Sequence, residues 1–181
     1  MTDAAVTRVS VAEFDQLTAN DERRFELIDG EVIEMAPPKI VHQRLVGRLY
    51  RLIDDLKPDG EVFVSPVEVY LDEYNIPQPD IVWVAANSSC NIEENRLVGA
   101  PDLVIEILSP STAKRDKIDK FKLYEKHGSR EYWLVDADYN QIEVWTRGAK
   151  GFERQGLYGI GDTFESRVLG GKTVEIAPIF A

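Results

Sequence analysis

A six-residue run, Leu103-Val104-Ile105-Glu106-Ile107-Leu108, constrains the fold of this chain more than any other segment. Every residue in the run except Glu106 is apolar, a pattern typical of a strand that other elements cover on both faces. Such a strand belongs to a sheet with helices packed on it. Inside it, the Glu106 carboxylate is costly to bury unless it is paired, protonated or bound to a metal.

The surrounding sequence predicts short helices and strands in an order that fits this buried strand. Apolar residues at helical spacing predict a helix from about Val41 to Leu56, with Pro58 and Gly60 ending it. Before it, the sequence predicts a helix from the Ser10–Glu13 capping box to Leu17 and a hairpin around Asp29-Gly30. After it come a strand Glu61–Leu71, with Pro66 as a bulge or edge marker, a strand Pro79–Val84 and a surface loop Ala86–Arg96. The buried strand is followed by a helix from the hydroxyl caps Ser109–Thr112 to His127 and Gly128, strands Tyr132–Val135 and Gln141–Trp145, and further short strands in the tail.

This order predicts an α/β (α+β) fold with an α-β-β-β-α-β core, a mixed sheet flanked by helices, an N-terminal hairpin and a β-rich tail. The length of 181 residues predicts a single domain, residues 1–181. In the hairpin, a two-residue turn pairs Ile28 with Glu31 and Glu26 with Ile33. Glu26 and Glu31 therefore lie on one face.

Composition narrows the classes of protein to which the chain can belong. Its apolar share of 44% and charged share of 29% are ordinary for a globular protein, and no apolar stretch is long enough to span a bilayer. Met1–Ala5 lacks the features of a secretory signal, and Cys90 is the only cysteine, so we expect a cytoplasmic protein without an internal disulfide or thiol-ligated zinc. The net charge of -11 means that any contact with nucleic acid depends on local positive charge.

Asp80 and Glu106 form the first candidate site. Asp80 stands just before Ile81-Val82-Trp83, so the two carboxylates are expected at the same ends of neighbouring strands. Two such carboxylates suit Mg²⁺ or Mn²⁺, which can generate hydroxide and stabilise charge on a phosphate. The alternatives are a structural ion pair for Glu106 and a strand-start cap for Asp80.

The second predicted core helix is a local basic patch. Its basic residues are Lys114, Arg115, Lys117, Lys120, Lys122 and Lys126, with Arg130 nearby. Asp116, Lys120 and Tyr124 fall at i, i+4 and i+8, which puts them on one helix face. A lysine there could position water or stabilise a phosphorane beside the carboxylates; the alternative is a solvated face with i,i+4 ion pairs.

These motifs together resemble a known family. The matching segments are Pro79-Asp80, Glu106 to Thr112, Asp116 to Tyr124, Gly128 to Asp136, the hairpin Phe25 to Glu31, and His42. They are similar to the Uma-type family of putative restriction endonucleases, a branch of the PD-(D/E)XK nuclease superfamily, over nearly the whole chain. The resemblance implies metal-dependent hydrolysis of DNA phosphodiester bonds, with Mg²⁺ or Mn²⁺ as cofactor and a homodimer as the assembly.

The resemblance also implies roles for particular residues. Asp80 and Glu106 correspond to metal ligands. The usual lysine, two residues after the second acid, is replaced by Leu108, and Lys120 of the following helix takes its place, with Lys122 as the second choice. Tyr124 is expected to orient that lysine or to pack beneath it.

The first core helix lacks the glutamate that the superfamily often places there. We therefore expect Glu31, with Glu26 as an alternative, to complete the site, and His42 to assist. DNA phosphates would meet Lys114, Arg115, Lys117 and Lys122 of the second helix and Arg44 and Arg48 of the first.

Other chemistries are disfavoured. Only His42 and His127 are available for histidine catalysis, and His127 beside Gly128 is typical of a partner for the helix C-terminus. No G-x-S-x-G motif surrounds Ser109 or Ser111. Trp83, Trp133 and Trp145 fall in strands and are expected in the core. The alternative function is a nuclease-fold module, weakly active or inactive, that binds nucleic acid or a protein partner.

Overall fold

The structure, a computed structural model, describes residues 8–57 and 59–181, so Pro58 and the segment Met1–Ala5, on which two of the sequence predictions rest, lie outside the described residues. In chain order the elements are α1 Val11–Thr18, β1 Arg24–Ile28, β2 Glu31–Met35, α2 Ile40–Leu56, β3 Gly60–Val64, β4 Val69–Tyr70, β5 Ile81–Ala85, β6 Asn91–Ile92, β7 Leu97–Val98, β8 Leu103–Leu108, α3 Ala113–Arg115, a π-helical turn Asp116–Lys120, α4 Phe121–His127, β9 Glu131–Asp136, β10 Gln141–Gly148, β11 Gly151–Gly159, β12 Thr163–Ser166, β13 Lys172–Glu175 and α5 Ala177–Phe180.

A six-stranded mixed sheet in the order β11-β10-β9-β8-β5-β3 forms the centre of the fold. β8 and β9 run parallel, and the other neighbouring strands are antiparallel. Ile105 of β8 packs in the cluster that includes α2 and the C-terminal elements, whereas Val104 packs in the cluster that includes α4. The predicted α/β core, with β8 covered on both faces, is therefore confirmed.

Helix α2 lies on one face of this sheet because its apolar stripe faces inward. Leu45, Leu49 and Ile53 are buried, and they recur at helical spacing as the sequence predicts. The stripe fixes the rotation of the helix, so Arg44 and Arg51 are left exposed on its outer side.

The β1–β2 hairpin has the predicted register, with Ile28 opposite Glu31 and Glu26 opposite Ile33. Asp29 and Gly30 both adopt positive φ, 51° and 79°, as a two-residue turn of this kind requires. Leu27 exchanges two backbone hydrogen bonds with Ile76, 3.1 and 2.9 Å long. These bonds hold β1 against the segment that leads into β5.

The predicted strand Glu61–Leu71 is wrong as a single element. Val64 ends β3, the edge strand of the large sheet, and β4 pairs with β7 in a separate three-stranded sheet. Pro66 lies between the two strands and has no N–H to continue the ladder. The predicted surface loop 86–96 also contains β6, which pairs with β7.

The second core helix begins differently from the prediction. Thr112 is its N-cap but makes no side-chain capping bond. The Ser109 hydroxyl lies within hydrogen-bonding distance of the Ser111 and Thr112 hydroxyls, at 3.1 and 3.0 Å, so these groups pair with one another. A π-helical turn then joins α3 to α4, and Gly128, at φ 103°, ends the helix as predicted.

Candidate active site

The register between β5 and β8 places Asp80 beside Glu106. Ile81 pairs with Ile105 in this antiparallel ladder, so Asp80, one position before the first, and Glu106, one position after the second, occupy the next opposed positions. Side chains two residues apart in a strand share a face. Glu106 therefore points to the same side as Val104, toward the helical segment 113–127.

The Lys120 side chain lies among the carboxylates on this face of the sheet. Its Nζ lies 2.9 Å from Glu26 Oε2, 3.1 Å from Glu106 Oε1 and 3.7 Å from Asp116 Oδ1. All four side chains are at most 3% exposed. Since a buried ammonium without partners is strongly disfavoured, the carboxylates and Lys120 stabilise one another's charged forms.

Asp116 belongs to the cluster although the sequence analysis does not assign it a site role. The π-helical turn carries Asp116 and Lys120, and both are buried. Burial raises the pKa of Asp116 to about 6, against the opposing effect of Lys120. The only sequence signal for Asp116 is its i, i+4 spacing from Lys120.

Glu106 is buried in the cluster at an electrostatic cost. Its complete burial, opposed by Lys120, raises its pKa well above the usual value, and the neighbouring Asp116, Asp80 and Glu26 raise it further. Its Oε1 lies at ion-pair distance from Lys120 but makes no hydrogen bond with any of the described residues.

The hairpin contributes Glu26 to this cluster, and not Glu31. Glu26 is 1% exposed, whereas Glu31 is exposed on the same hairpin face. Beyond Lys120, Glu26 accepts hydrogen bonds from Arg115 Nη1 at 3.1 Å and from the Gln78 backbone N–H at 3.3 Å. The structure therefore brings Glu26, the alternative to Glu31 in the prediction, against Lys120 and Arg115, whereas Glu31 lies nearer the turn and is exposed.

Asp80 is oriented from two sides. Its Oδ2 accepts the backbone N–H of Ile107 at 2.7 Å, and its Oδ1 lies 3.0 Å from His42 Nε2. His42 comes from the first turn of α2, on the other layer of the fold. The side chains of His42 and Asp80 are 19% and 14% exposed, so this pair forms the more accessible part of the site.

Tyr124 lies one turn beyond Lys120 and is fully buried. Its ring packs against Tyr132, with the ring centroids 5.8 Å apart. Burial raises the pKa of Tyr124 well above its usual value, with Glu106 adding to the effect. Its hydroxyl makes no hydrogen bond within the part of the chain that the structure describes, so Tyr124 packs beneath the cluster and does not hold Lys120 by a hydrogen bond.

The predicted DNA-contacting residues fall into two groups. Lys114, Lys117, Lys122 and Arg44 are exposed. Arg115 and Arg48 already have protein partners: Arg115 bonds Glu26, and Arg48 donates to the Ile179 carbonyl at 3.2 Å. Lys114, Arg115 and Lys122 line a groove of ≈ 560 Å³ between the hairpin and the helix.

The donor chemistry of the cluster fits a hard divalent cation. Asp80 and Glu106 supply carboxylate oxygens, which Mg²⁺ prefers, and one Glu106 oxygen makes no hydrogen bond with the described residues. Among residues 8–57 and 59–181, no three His, Cys, Asp or Glu side chains are arranged to hold a metal. Since Mg²⁺ commonly takes one or two carboxylates and completes its shell with water and substrate phosphate, two protein ligands suffice.

The molecule has a mixed α/β fold that a solved protein shares. The structure superposes on a crystal structure from Anabaena variabilis, described as a putative nuclease belonging to DUF820, with a TM-score of 0.78, 19% sequence identity, and coverage of 95% of this chain and 97% of the other. At that identity the likeness shows the fold alone.

The family follows from the sequence comparison. Residues 11–177 match the Uma2 family, described as putative restriction endonuclease, and the chain belongs to that family. An uncharacterized protein of Synechocystis sp. is 30% identical over 148 residues, 79% of this chain and 84% of that protein. A second uncharacterized Synechocystis protein is 23% identical over 92% of this chain and 89% of its own length.

No helix among the described residues is both long and apolar enough to cross a membrane.

Proposed function

We propose that the protein is an endonuclease that hydrolyses DNA phosphodiester bonds with Mg²⁺ or Mn²⁺. The observation that carries the proposal is the contact of buried Lys120 with Glu106 and two further carboxylates, where Asp80 faces Glu106 across the inner strands of the sheet. Burying this many carboxylates around one lysine is costly, because each charge removed from water carries a desolvation penalty.

The charges of the site favour a divalent cation. Four carboxylates, Asp80, Glu106, Asp116 and Glu26, are near two permanent cations, Lys120 and Arg115. Burial raises the pKa values of Glu106 and Asp116, and the neighbouring carboxylates raise them further. Asp80 and Glu106 would hold a metal ion, which when bound lowers the pKa of water and neutralises charge on the phosphate.

The residues of the chain perform the remaining tasks. His42 and the Ile107 N–H orient the Asp80 carboxylate. Lys120, held by its carboxylate partners, presents a fixed positive charge to the phosphorane oxygen that develops during attack. Because Lys120 is buried and prepositioned, little reorganisation accompanies that stabilisation.

DNA would approach the exposed cations around the site. Lys114, Lys117 and Lys122 on the helix and Arg44 on α2 supply local positive charge in an acidic chain. Contacts of this kind bind phosphates and are insensitive to base sequence. We therefore propose backbone recognition by these residues.

The Asp80→Ala variant tests the proposal. Wild-type protein is expected to cleave DNA with Mn²⁺ or Mg²⁺ and to stop when EDTA is added. Asp80→Ala is expected to lose more activity than the roughly 10–100-fold that loss of an outer partner of a metal ligand costs. Asp119→Ala, which removes an exposed acid of the π-helical turn, is the control. Equal rates for wild type and Asp80→Ala would refute the assignment.

A second candidate function is a nuclease-fold module that binds nucleic acid without cutting it. The observation in its favour is that Lys120 and Glu106 are each only 3% exposed, with Lys120 neutralised by neighbouring carboxylates. Its signature is DNA binding that weakens with salt and is unaffected by Mn²⁺ or EDTA. Metal-dependent cleavage would exclude it.

A further inference from the structure

We propose that the Glu26 carboxylate occupies an anion cradle whose substrate ligand is a phosphate group of the nucleic acid. The inference rests on the proposed function and deepens it, because it names the part of the site that receives the phosphate. In the absence of substrate, Glu26 fills that position and competes with the phosphate.

The cradle consists of three N–H donors, two from the helical segment 113–127 and one from the chain that leads into β5. Lys120 Nζ and the Gln78 backbone N–H meet Glu26 Oε2 at 2.9 and 3.3 Å, and Arg115 Nη1 meets Oε1 at 3.1 Å. Two cations and a backbone amide converging on a pair of oxygens equally suit the two non-bridging oxygens of a phosphodiester. Carboxylate and phosphate are interchangeable partners for such donors.

The cradle has an open side. Arg115 is 24% exposed, and it lines the groove of ≈ 560 Å³ between the hairpin and the helix. Lys114 and Lys122 line the same groove. A strand of nucleic acid lying in the groove would place its phosphates next to Arg115.

The charge of the site favours a phosphate that replaces the Glu26 carboxylate over one that binds beside it. The site already holds more carboxylates than cations, so a phosphate added beside Glu26 would meet like charge. Replacing the Glu26 carboxylate with a phosphodiester leaves the charge of the cluster unchanged. Leu27 is hydrogen-bonded to Ile76, so the backbone of β1 is anchored and the Glu26 side chain is the part that moves.

The direct test is metal-free anion binding by Glu26→Gln. Inorganic phosphate and a short single-stranded oligodeoxynucleotide are titrated in EDTA into wild type, Glu26→Gln and Glu31→Gln. Glu31 lies on the same hairpin face and lines the groove but is outside the cluster, which makes it the matched control. We expect Glu26→Gln to bind both probes about tenfold or more tightly, as removal of a competing charge at a bidentate site predicts, and Glu31→Gln to bind within about twofold of wild type.

A double variant tests whether the tighter phosphate binding depends on the cradle donors. Adding Arg115→Ala to Glu26→Gln is expected to abolish the tighter binding, because Arg115 is one of the cradle donors. Equal tightening by Glu26→Gln and Glu31→Gln would overturn the inference, since it would reflect general electrostatics. Unchanged or weaker binding by a folded Glu26→Gln would overturn it as well.

A measurement on wild-type protein keeps the inference testable if the variant does not fold. The Gln78 amide donates to Glu26 and would donate to the phosphate after exchange. Its NMR resonance is expected to shift on phosphate saturation, while the Val168 amide, which donates to Glu131 away from the groove, is expected not to shift. An unshifted Gln78 resonance at saturation would contradict the proposal.

The outcomes separate this inference from the proposed function. Cleavage that depends on Asp80, together with binding that is insensitive to Glu26, would leave the nuclease assignment intact and overturn the cradle. Tighter phosphate binding by Glu26→Gln without any cleavage would support the cradle in a protein that binds but does not cut.

Discussion

The Lys120 ammonium lies 3.1 Å from Oε1 of Glu106, and both side chains are 3% exposed. A lysine from the helical segment thus meets the one carboxylate inside the buried strand β8. Neither charge is stable in that position alone, because removing a single ion from water costs roughly several kcal/mol even after the surrounding protein relaxes. The same ion pair therefore stabilises the packing of the helical segment on the sheet and positions two charged groups of the proposed active site.

Loss of Lys120 is expected to destabilise the fold strongly. Lys120→Ala leaves three buried carboxylates without their shared cation, and breaking a buried pair in this way costs roughly 3–5 kcal/mol of unfolding free energy. Urea denaturation measures the change. Lys122→Ala, two residues away and exposed, is the control and should change stability by less than about 0.5 kcal/mol.

Neutralising a partner should recover part of that loss. The double variant Lys120→Met with Glu106→Gln removes both charges and keeps similar side-chain volumes, so it is expected to be more stable than Lys120→Ala. If the double variant were no more stable than Lys120→Ala, electrostatic pairing would not be the cause of the single-variant loss.

His42→Ala tests the orientation of Asp80. Its Nε2 lies 3.0 Å from Asp80 Oδ1, and outer partners of metal-binding carboxylates commonly contribute about 10–100-fold to metal affinity. We expect a loss of that size in Mn²⁺ affinity, measured by calorimetry, with the melting temperature little changed. His127→Ala, whose histidine pairs with Asp72 elsewhere, should retain wild-type affinity.

Glu131, which lies outside the acidic cluster, is expected to make the stability of the fold depend on pH. Burial raises its pKa above the usual value, against the hydrogen bond from Trp133. A carboxyl whose folded-state pKa is raised stabilises the fold below its unfolded pKa of 4.5, and this contribution is lost as pH rises through the folded pKa.

The Glu131→Gln variant isolates that contribution. Relative to wild type, it is expected to gain stability as pH rises from about 4.5 upward, with a slope of at most about 1.4 kcal/mol per pH unit for one proton. Thermal unfolding at a series of pH values measures the difference. Parallel pH curves for the two proteins would contradict the assignment.

Cys90 should be unreactive in the folded protein. Burial raises the pKa of its thiol to about 11, with Asp102 adding to the effect, and the thiolate is the reactive form. We expect little labelling by a thiol reagent at pH 8 until the protein unfolds. Rapid labelling under native conditions would show that the region around Cys90 opens.

Local sequence patterns predict the parts of the fold that local rules govern. The Asp29-Gly30 turn fixes the hairpin register, and the apolar run around Glu106 predicts the buried strand. The break after Val64 is missed although the apolar alternation changes phase at Pro66, from Val62 and Val64 to Val67 and Val69, where the chain changes sheet.

The site is harder to predict because its partners are distant in sequence. Glu26 and Glu31 have the same local pattern and share a face. Glu26 is the buried one because Arg115, 89 residues away along the chain, and the Gln78 amide reach it. The π-helical turn that carries Asp116 and Lys120 has no signal in helical periodicity.

Calorimetric titration of Mn²⁺ in the presence of a short oligodeoxynucleotide tests the central claim, that Asp80 and Glu106 hold the catalytic metal. Wild type is expected to bind Mn²⁺, and Glu106→Gln is expected to lose that binding while keeping its fold, with Glu31→Gln behaving as wild type. Equal Mn²⁺ binding by wild type and Glu106→Gln, or no binding by wild type even with the oligonucleotide present, would contradict the account.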